Sequence, residues 1–234
     1  MDVGHGKELD AAPGVIGLSE AEYPPLPDAV VQDPTAGRLD PRGWFAHPSR
    51  PLELEIGCGK GTFILNASGA TQETNFLGVE WEGLYFAYTA DRLRRAGRTN
   101  TRMLHADGVE FLRWRCPNDV FAAIHLYYSD PWPKARHHKN RVVQDRFLQE
   151  SLRCLVPGGT LRIVTDHDDY WAWMQPYFAR WCGMDGGFQR ESFVAPAWAG
   201  EGAVVATNYE RKMCGDHKEP HAVVLRKPAR GGGE

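Results

Sequence analysis

Residues 52 to 61 read Leu-Glu-Leu-Glu-Ile-Gly-Cys-Gly-Lys-Gly. The first five alternate apolar and acidic side chains, as a strand does when it buries one face more fully than the other. Three glycines at alternate positions then supply the positive φ and close backbone approach of a tight turn into a helix, whose exposed amides favour anionic groups. A strand, a glycine turn and a helix in that order are the opening unit of a parallel α/β sheet.

Downstream, strand-like runs over 76–80, 102–105, 121–128 and 160–165 alternate with helical patterns over 61–68, 83–96, 108–115 and 141–155. The alternation predicts a mainly parallel sheet with right-handed crossovers and helices on both faces. In 141–155, Val143, Phe147, Leu148, Leu152 and Leu155 form one apolar stripe, and Pro157-Gly158-Gly159 is expected to terminate the helix. An aromatic helix is expected over 167–181 and a late, antiparallel strand over 222–225. Residues 1–42, with six prolines from Pro13 to Pro41, read as a mobile or extended arm. The domain then spans 43–228, and the Gly-rich end, 229–234, reads as a flexible tail.

The 234 residues, 42% hydrophobic and 24% charged, suffice for one domain with a sizeable core. No apolar run reaches bilayer-spanning length and the amino terminus lacks a signal-peptide pattern, so a soluble, cytoplasmic protein is expected. Five widely spaced cysteines without a C-x-x-C pair read as reduced thiols, not as a disulfide framework or a zinc site. A net charge of -3 means that nucleic-acid binding must be argued from local charge.

The polar groups at strand ends point to a ligand. Glu80 ends the second strand, where a carboxylate accepts hydrogen bonds from the hydroxyls of an adenosine ribose, and Asp107 follows the third, within reach of an adenine edge. Thr62 stands where a dinucleotide-binding loop has its third glycine. Glu55 suits an ammonium group better than a pyrophosphate. Both details favour S-adenosylmethionine over NAD, with an NAD-dependent oxidoreductase as the alternative.

Residues 129–141, Ser-Asp-Pro-Trp-Pro-Lys-Ala-Arg-His-His-Lys-Asn-Arg, set Asp130 in a stiff turn past the fourth strand, where open α/β sheets bind ligands. Lys134, Arg136, Lys139 and Arg141 follow with no acidic residue among them, a pattern suited to phosphate backbones. His137 and His138 lack a third ligand at suitable spacing, so no metal is expected. Asp166 and the segment Thr207-Asn208-Tyr209-Glu210 offer acceptors for the amino and imino edge of guanine, provided they reach the same crevice. Arg92, Arg94, Arg95, Arg98 and Arg102 read as solvated helix surface.

The motifs LEIGCGKG (54–61, from its Leu), GVE (78–80), SDPWPKARHHKNR (129–141), FLQESLRCLVPGG (147–159), TDHDDY (165–170) and TNYERK (207–212) resemble those of the bacterial tRNA (guanine-N7-)-methyltransferases. The likeness runs from about Trp44 to Leu225. It implies a Rossmann-like class I methyltransferase fold, with a mainly parallel seven-stranded sheet, helices on both faces and a late antiparallel strand. It further implies that Glu55, Glu80, Asp107 and Asp130 contact the methyl donor, with Gly57, Cys58 and Gly59 lining its site, and that Asp130 is catalytic. Lys134, Asp166, Thr207, Asn208, Tyr209 and Glu210 are implied substrate contacts, and Arg136, His137, His138, Lys139, Asn140 and Arg141 an RNA-interacting tract. The implied substrate is guanine 46 of the tRNA variable loop, acted on by a monomer or homodimer without a membrane or a metal. Asn140 departs from the arginine of many relatives, and Ala135 from a frequent basic residue. A methyltransferase acting on another RNA base and an RNA-binding module without catalysis are the remaining readings.

Overall fold

The computed structural model describes residues 16–200, 204, 205, 207 and 219–230. Among the described residues, seven strands form one sheet in the order β3-β2-β1-β4-β5-β7-β6. They are β1 (Leu52–Ile56), β2 (Asn75–Glu80), β3 (Thr101–His105), β4 (Phe121–Tyr127), β5 (Leu155–Thr165), β6 (Gln189–Glu191) and β7 (His221–Arg226). The first five run parallel, and β7 lies antiparallel to both β5 and β6. The order reverses between β1 and β4, so the crevice at their carboxyl ends is the topological switch point of the sheet. The expected mainly parallel, seven-stranded Rossmann-like sheet with a late antiparallel strand is present.

Helices α1 (Thr62–Ala70) and α2 (Gly83–Arg95) cover one face, with Phe63, Ile64, Ala90 and Leu93 in its core. Helices α3 (Gly108–Arg115), α4 (Asp145–Cys154) and α5 (Asp168–Gly183) cover the other, where Phe111, Phe147, Leu148, Tyr170 and Phe178 are buried. The apolar stripe read from α4 is therefore core, and truncating Phe147 to Ala costs about 3–5 kcal/mol.

Two expectations are corrected by long-range contacts. Helix α4 begins at Asp145 rather than Arg141, because Arg141 and Val143 are fastened to α5 instead of entering the helix. It ends at Cys154, and Pro157-Gly158-Gly159 lies inside β5 as an irregularity, where the register with β4 shifts between Phe121 and Ala123. Gly158 has φ 80°, and a Cβ on Gly159 would lie 2.9–3.0 Å from three carbonyl oxygens, so the bulge requires both glycines.

The stretch expected as an arm is packed against the domain from Ile16 onward. Gly17 bridges in parallel to Met103 on edge strand β3, which blunts that edge. Arg102, expected on the solvated surface, is buried there and donates to Trp44 O, Gly17 O and the Glu22 carboxylate. Arg115 reaches Gly37 O and Pro24 O from α3. No described helix is long and apolar enough to cross a membrane.

Candidate active site

Three glycines shape the turn after β1. Gly57, Gly59 and Gly61 have φ of 77°, 52° and 66°, a conformation that side chains with a Cβ rarely adopt. A Cβ on Gly61 would also lie 2.3 Å from the Thr89 side chain. Helix α2 grips the turn from below: Thr89 Oγ1 donates to Gly59 O at 2.8 Å, and Arg92 donates to Lys60 O at 2.8 Å and to Thr62 Oγ1 at 3.1 Å. Arg92 is thus part of the scaffold of the loop, not solvated surface. Arg94 and Arg95 both pair with the buried Asp91.

Glu80 joins two loops. Its Oε2 accepts from Gly59 N at 2.7 Å and its Oε1 from Glu82 N at 2.9 Å. An ionised carboxylate has about four acceptor sites, so capacity for hydroxyl donors remains beyond these two. Asp107 caps α3, its Oδ1 accepting from Val109 N at 2.8 Å and Glu110 N at 3.0 Å. Such a cap is worth about 1 kcal/mol, and the side chain is still exposed.

Glu55 is the unusual group of the site. It is 5% exposed, and its Oε2 has no hydrogen-bond partner among the described residues. Burial pushes its carboxyl up to about 8, and the Glu80 charge adds to the rise. A buried acceptor without a donor, next to a turn of left-handed glycines, fits a cationic group arriving there. The Cys58 side chain turns into the protein, its Sγ donating to Glu55 O and Val79 O. Its thiol is buried under Gly78, and burial raises it well above the ordinary thiol value.

After β4, Asp130 is exposed between two left-handed residues, Tyr128 at φ 52° and Trp132 at φ 44°. For bulky side chains this conformation costs about 1–3 kcal/mol and persists only where surrounding structure enforces it. The prolines of the turn were legible in sequence, but this strain was not. A cleft of about 670 Å³ opens beside the turn, lined by Asp107, Val109, Trp132, Lys139 and Phe147 among others.

Lys134, Arg136 and Lys139 are exposed along a short 3-10 helix over Ala135–Asn140, with Asn140 also exposed. His137 packs edge-on to Trp132, and His138 edge-on to Trp173. Arg141, expected in the RNA-interacting tract, is buried instead. Asp166 is half-buried just past β5, and Thr207 is half-buried. Asn208, Tyr209 and Glu210 lie outside the described residues.

A protein family described as "Putative methyltransferase" matches residues 49–219. The chain belongs to this methyltransferase family. It is 36% identical over 157 residues to a tRNA (guanine-N(7)-)-methyltransferase of Corynebacterium diphtheriae, covering 67% of this chain and 60% of that protein. It is 36% identical over 148 residues to one of Halorhodospira halophila, covering 63% and 64%. The match thus spans about three fifths of those relatives. Among solved structures, the 16S rRNA methyltransferase KamB superposes with a TM-score of 0.52 at 12% identity, over 87% of this chain and 94% of that one, a likeness of fold.

For this methyltransferase, sequence reasoning passed over Trp81. It follows Glu80 directly, is 71% exposed, and its carbonyl is held 2.9 Å from His105 Nε2. The pair Glu80-Trp81 at the end of β2 was visible in the sequence, but the exposure of the ring was not. No group of three or more His, Cys, Asp or Glu side chains among the described residues is arranged to hold a metal ion.

Proposed function

We propose that the chain is a tRNA (guanine-N7-)-methyltransferase that uses S-adenosylmethionine and modifies guanine 46 of the variable loop. The observation that carries the reading is that the neighbouring strands β1 and β4, where the sheet order reverses, each lead at the carboxyl end to a carboxylate in an unusual setting. Glu55 is buried and lacks a full set of donors, while Asp130 is exposed in a strained turn that leads into exposed cations. The tRNA (guanine-N(7)-)-methyltransferase relatives support the substrate.

The residues present fit the donor. S-Adenosylmethionine supplies a methyl group on a positively charged sulfur. Glu55, with Gly57 and Gly59 beside it, is suited to hold the ammonium group, and Glu80 to accept from the ribose hydroxyls. Asp107 suits the adenine edge, and Trp81 offers that ring a flat apolar face. An oxidoreductase on this sheet would place a pyrophosphate beside Glu55, where its charge opposes ionisation of the carboxyl, whereas an ammonium group favours it.

Guanine N7 carries a lone pair and no proton, so Asp130 has no proton to remove. Its carboxylate orients the base and offsets the positive charge that grows on the purine as N7 is methylated. Holding the base in line with the methyl group supplies much of the remaining acceleration. Lys134, Asp166 and the segment Thr207 to Glu210 are the substrate contacts in this reading. Arg136, His137, His138, Lys139 and Asn140 face the tRNA backbone. A tRNA substrate accords with a cytoplasmic enzyme.

The experiment is incubation with methyl-labelled S-adenosylmethionine and unmodified tRNA, followed by mapping of the labelled nucleotide. The expected product is 7-methylguanosine at position 46. Label on an exocyclic amine, on a small molecule, or nowhere overturns the proposal.

A further inference from the structure

Arg141 closes the most basic stretch of the chain, yet its side chain is 1% exposed. Its Nε donates to Pro131 O at 2.8 Å, and its Nη2 donates to the Asp169 carboxylate at the start of α5. The guanidinium carbon lies 5.3 Å from the Tyr170 ring centre and 5.1 Å from that of Trp173. Around it, the Tyr170 hydroxyl accepts from Val143 N at 3.2 Å, and Trp173 Nε1 donates to Val143 O at 3.2 Å. The Gln144 amide donates to Lys139 O and Arg141 O. Arg141 and Val143 are thereby fixed to α5, and Gln144 ties Lys139 to them.

The hydrogen bond to Pro131 O carries that rigidity into the turn. The Pro131 carbonyl belongs to the peptide plane between Pro131 and Trp132, and rotation of this plane is what would release Trp132 from its left-handed φ of 44°. A donor fixed in the protein interior and aimed at that oxygen blocks the rotation. Asp130 belongs to the preceding peptide plane, and because the Pro131 ring fixes the φ that joins the two planes, holding one restrains the other.

A buried cation requires compensation, and here a carboxylate, a carbonyl and two aromatic rings provide it. Only a planar fork reaches a carbonyl and a carboxylate at once from between two rings, which a lysine ammonium does not.

We propose that Arg141 is a positioning residue. It locks the Pro131–Trp132 peptide to α5 and so holds Asp130, along with the exposed cations of the tract, in the geometry the reaction needs. Its effect on turnover rests on the functional reading above, whereas its effect on the order of the turn rests on geometry alone.

The test uses the full chain labelled with 5-fluorotryptophan, with the Trp132 fluorine resonance assigned by Trp132→Phe. Arg141→Lys is expected to shift or broaden that resonance and to lower kcat by about 100-fold, the scale of an ångström-level misplacement. The tRNA Kd and its salt slope stay as in the wild type, because no phosphate contact is lost. Asp169→Asn removes the charge but keeps an oxygen that accepts from Arg141, on a side chain that is 61% exposed, and it is expected to act in the same direction with a smaller loss. The two substitutions together lose no more than Arg141→Lys alone.

Weakened tRNA binding, a salt slope reduced by about 1 and an intact kcat make Arg141 a phosphate contact and overturn the proposal. Wild-type turnover with an unmoved Trp132 resonance in both variants also overturns it. If the wild type transfers no methyl group to tRNA, the functional reading fails and the fluorine signal alone judges the lock. If Arg141→Lys does not fold, Asp169→Asn decides by the same readouts.

Discussion

The main-chain amide of Gly59 donates to the Glu80 carboxylate at 2.7 Å, joining the turn after β1 to the end of β2. Because the other oxygen of Glu80 holds Glu82 N, one side chain sets the spacing of two loops on the donor side of the crevice. Hydrogen bonds to a charged group contribute about 1.5–3 kcal/mol each, so Glu80→Ala is expected to weaken S-adenosylmethionine binding by at least about 10-fold. Titration calorimetry checks this, and unchanged affinity would remove Glu80 from the donor site.

Glu55→Gln separates stability from binding. The folded protein holds a proton on Glu55 up to about pH 8, whereas the unfolded chain releases it near the ordinary value of 4.5. Between these values the native state binds more protons, so wild-type stability falls as pH rises and levels off above about 8. Each unit of separation is worth about 1.4 kcal/mol. Glu55→Gln therefore gains stability relative to wild type as pH increases from 5 to 8.5, measured by urea unfolding. The same variant binds the donor more weakly, and a gain that does not grow with pH contradicts the assignment.

Asp130→Ala is expected to lower kcat by about 100-fold or more, the range for loss of an electrostatic group at a transition state. Donor binding stays measurable, because Glu55 and Glu80, on β1 and β2, are left in place. Single-turnover kinetics with pre-bound donor report the chemical step, and near-normal rates would reassign catalysis to another group.

Lys134, Arg136 and Lys139 are the exposed cations of the tract. Their joint replacement by Ala is expected to reduce the salt slope of tRNA binding by about 2–3, roughly one per phosphate contact. Binding measured across a range of KCl concentrations checks this, and Arg141→Lys in the same assay is the buried control.

Trp81→Ala removes an exposed ring and leaves the core untouched. Stacking on an aromatic side chain is worth about 1–3 kcal/mol per base, so donor affinity should fall by about 5-fold to 100-fold. Equilibrium dialysis with labelled donor is the measurement, and unchanged affinity places the adenine elsewhere.

The sequence by itself determined the parallel frame and the polar groups at its carboxyl edge. Strand β1 and helix α3 match their expected limits, and Gly57, Gly59, Glu80 and Asp107 lie at the ends of the elements that predicted them. These features follow from local periodicity, glycine conformation and capping, each set by residues close in the chain. Only the tertiary structure decided which cations face water. Arg92, Arg102 and Arg141 read as surface charge from their neighbours, but each meets carbonyls or carboxylates that lie far away in sequence. The bulge at Gly158-Gly159, the later start of α4 and the packing of the segment from Ile16 have the same origin. A side chain's burial is fixed by partners that the local pattern does not contain, and in this protein those partners separate the three exposed cations of the tract from the buried one that holds its turn.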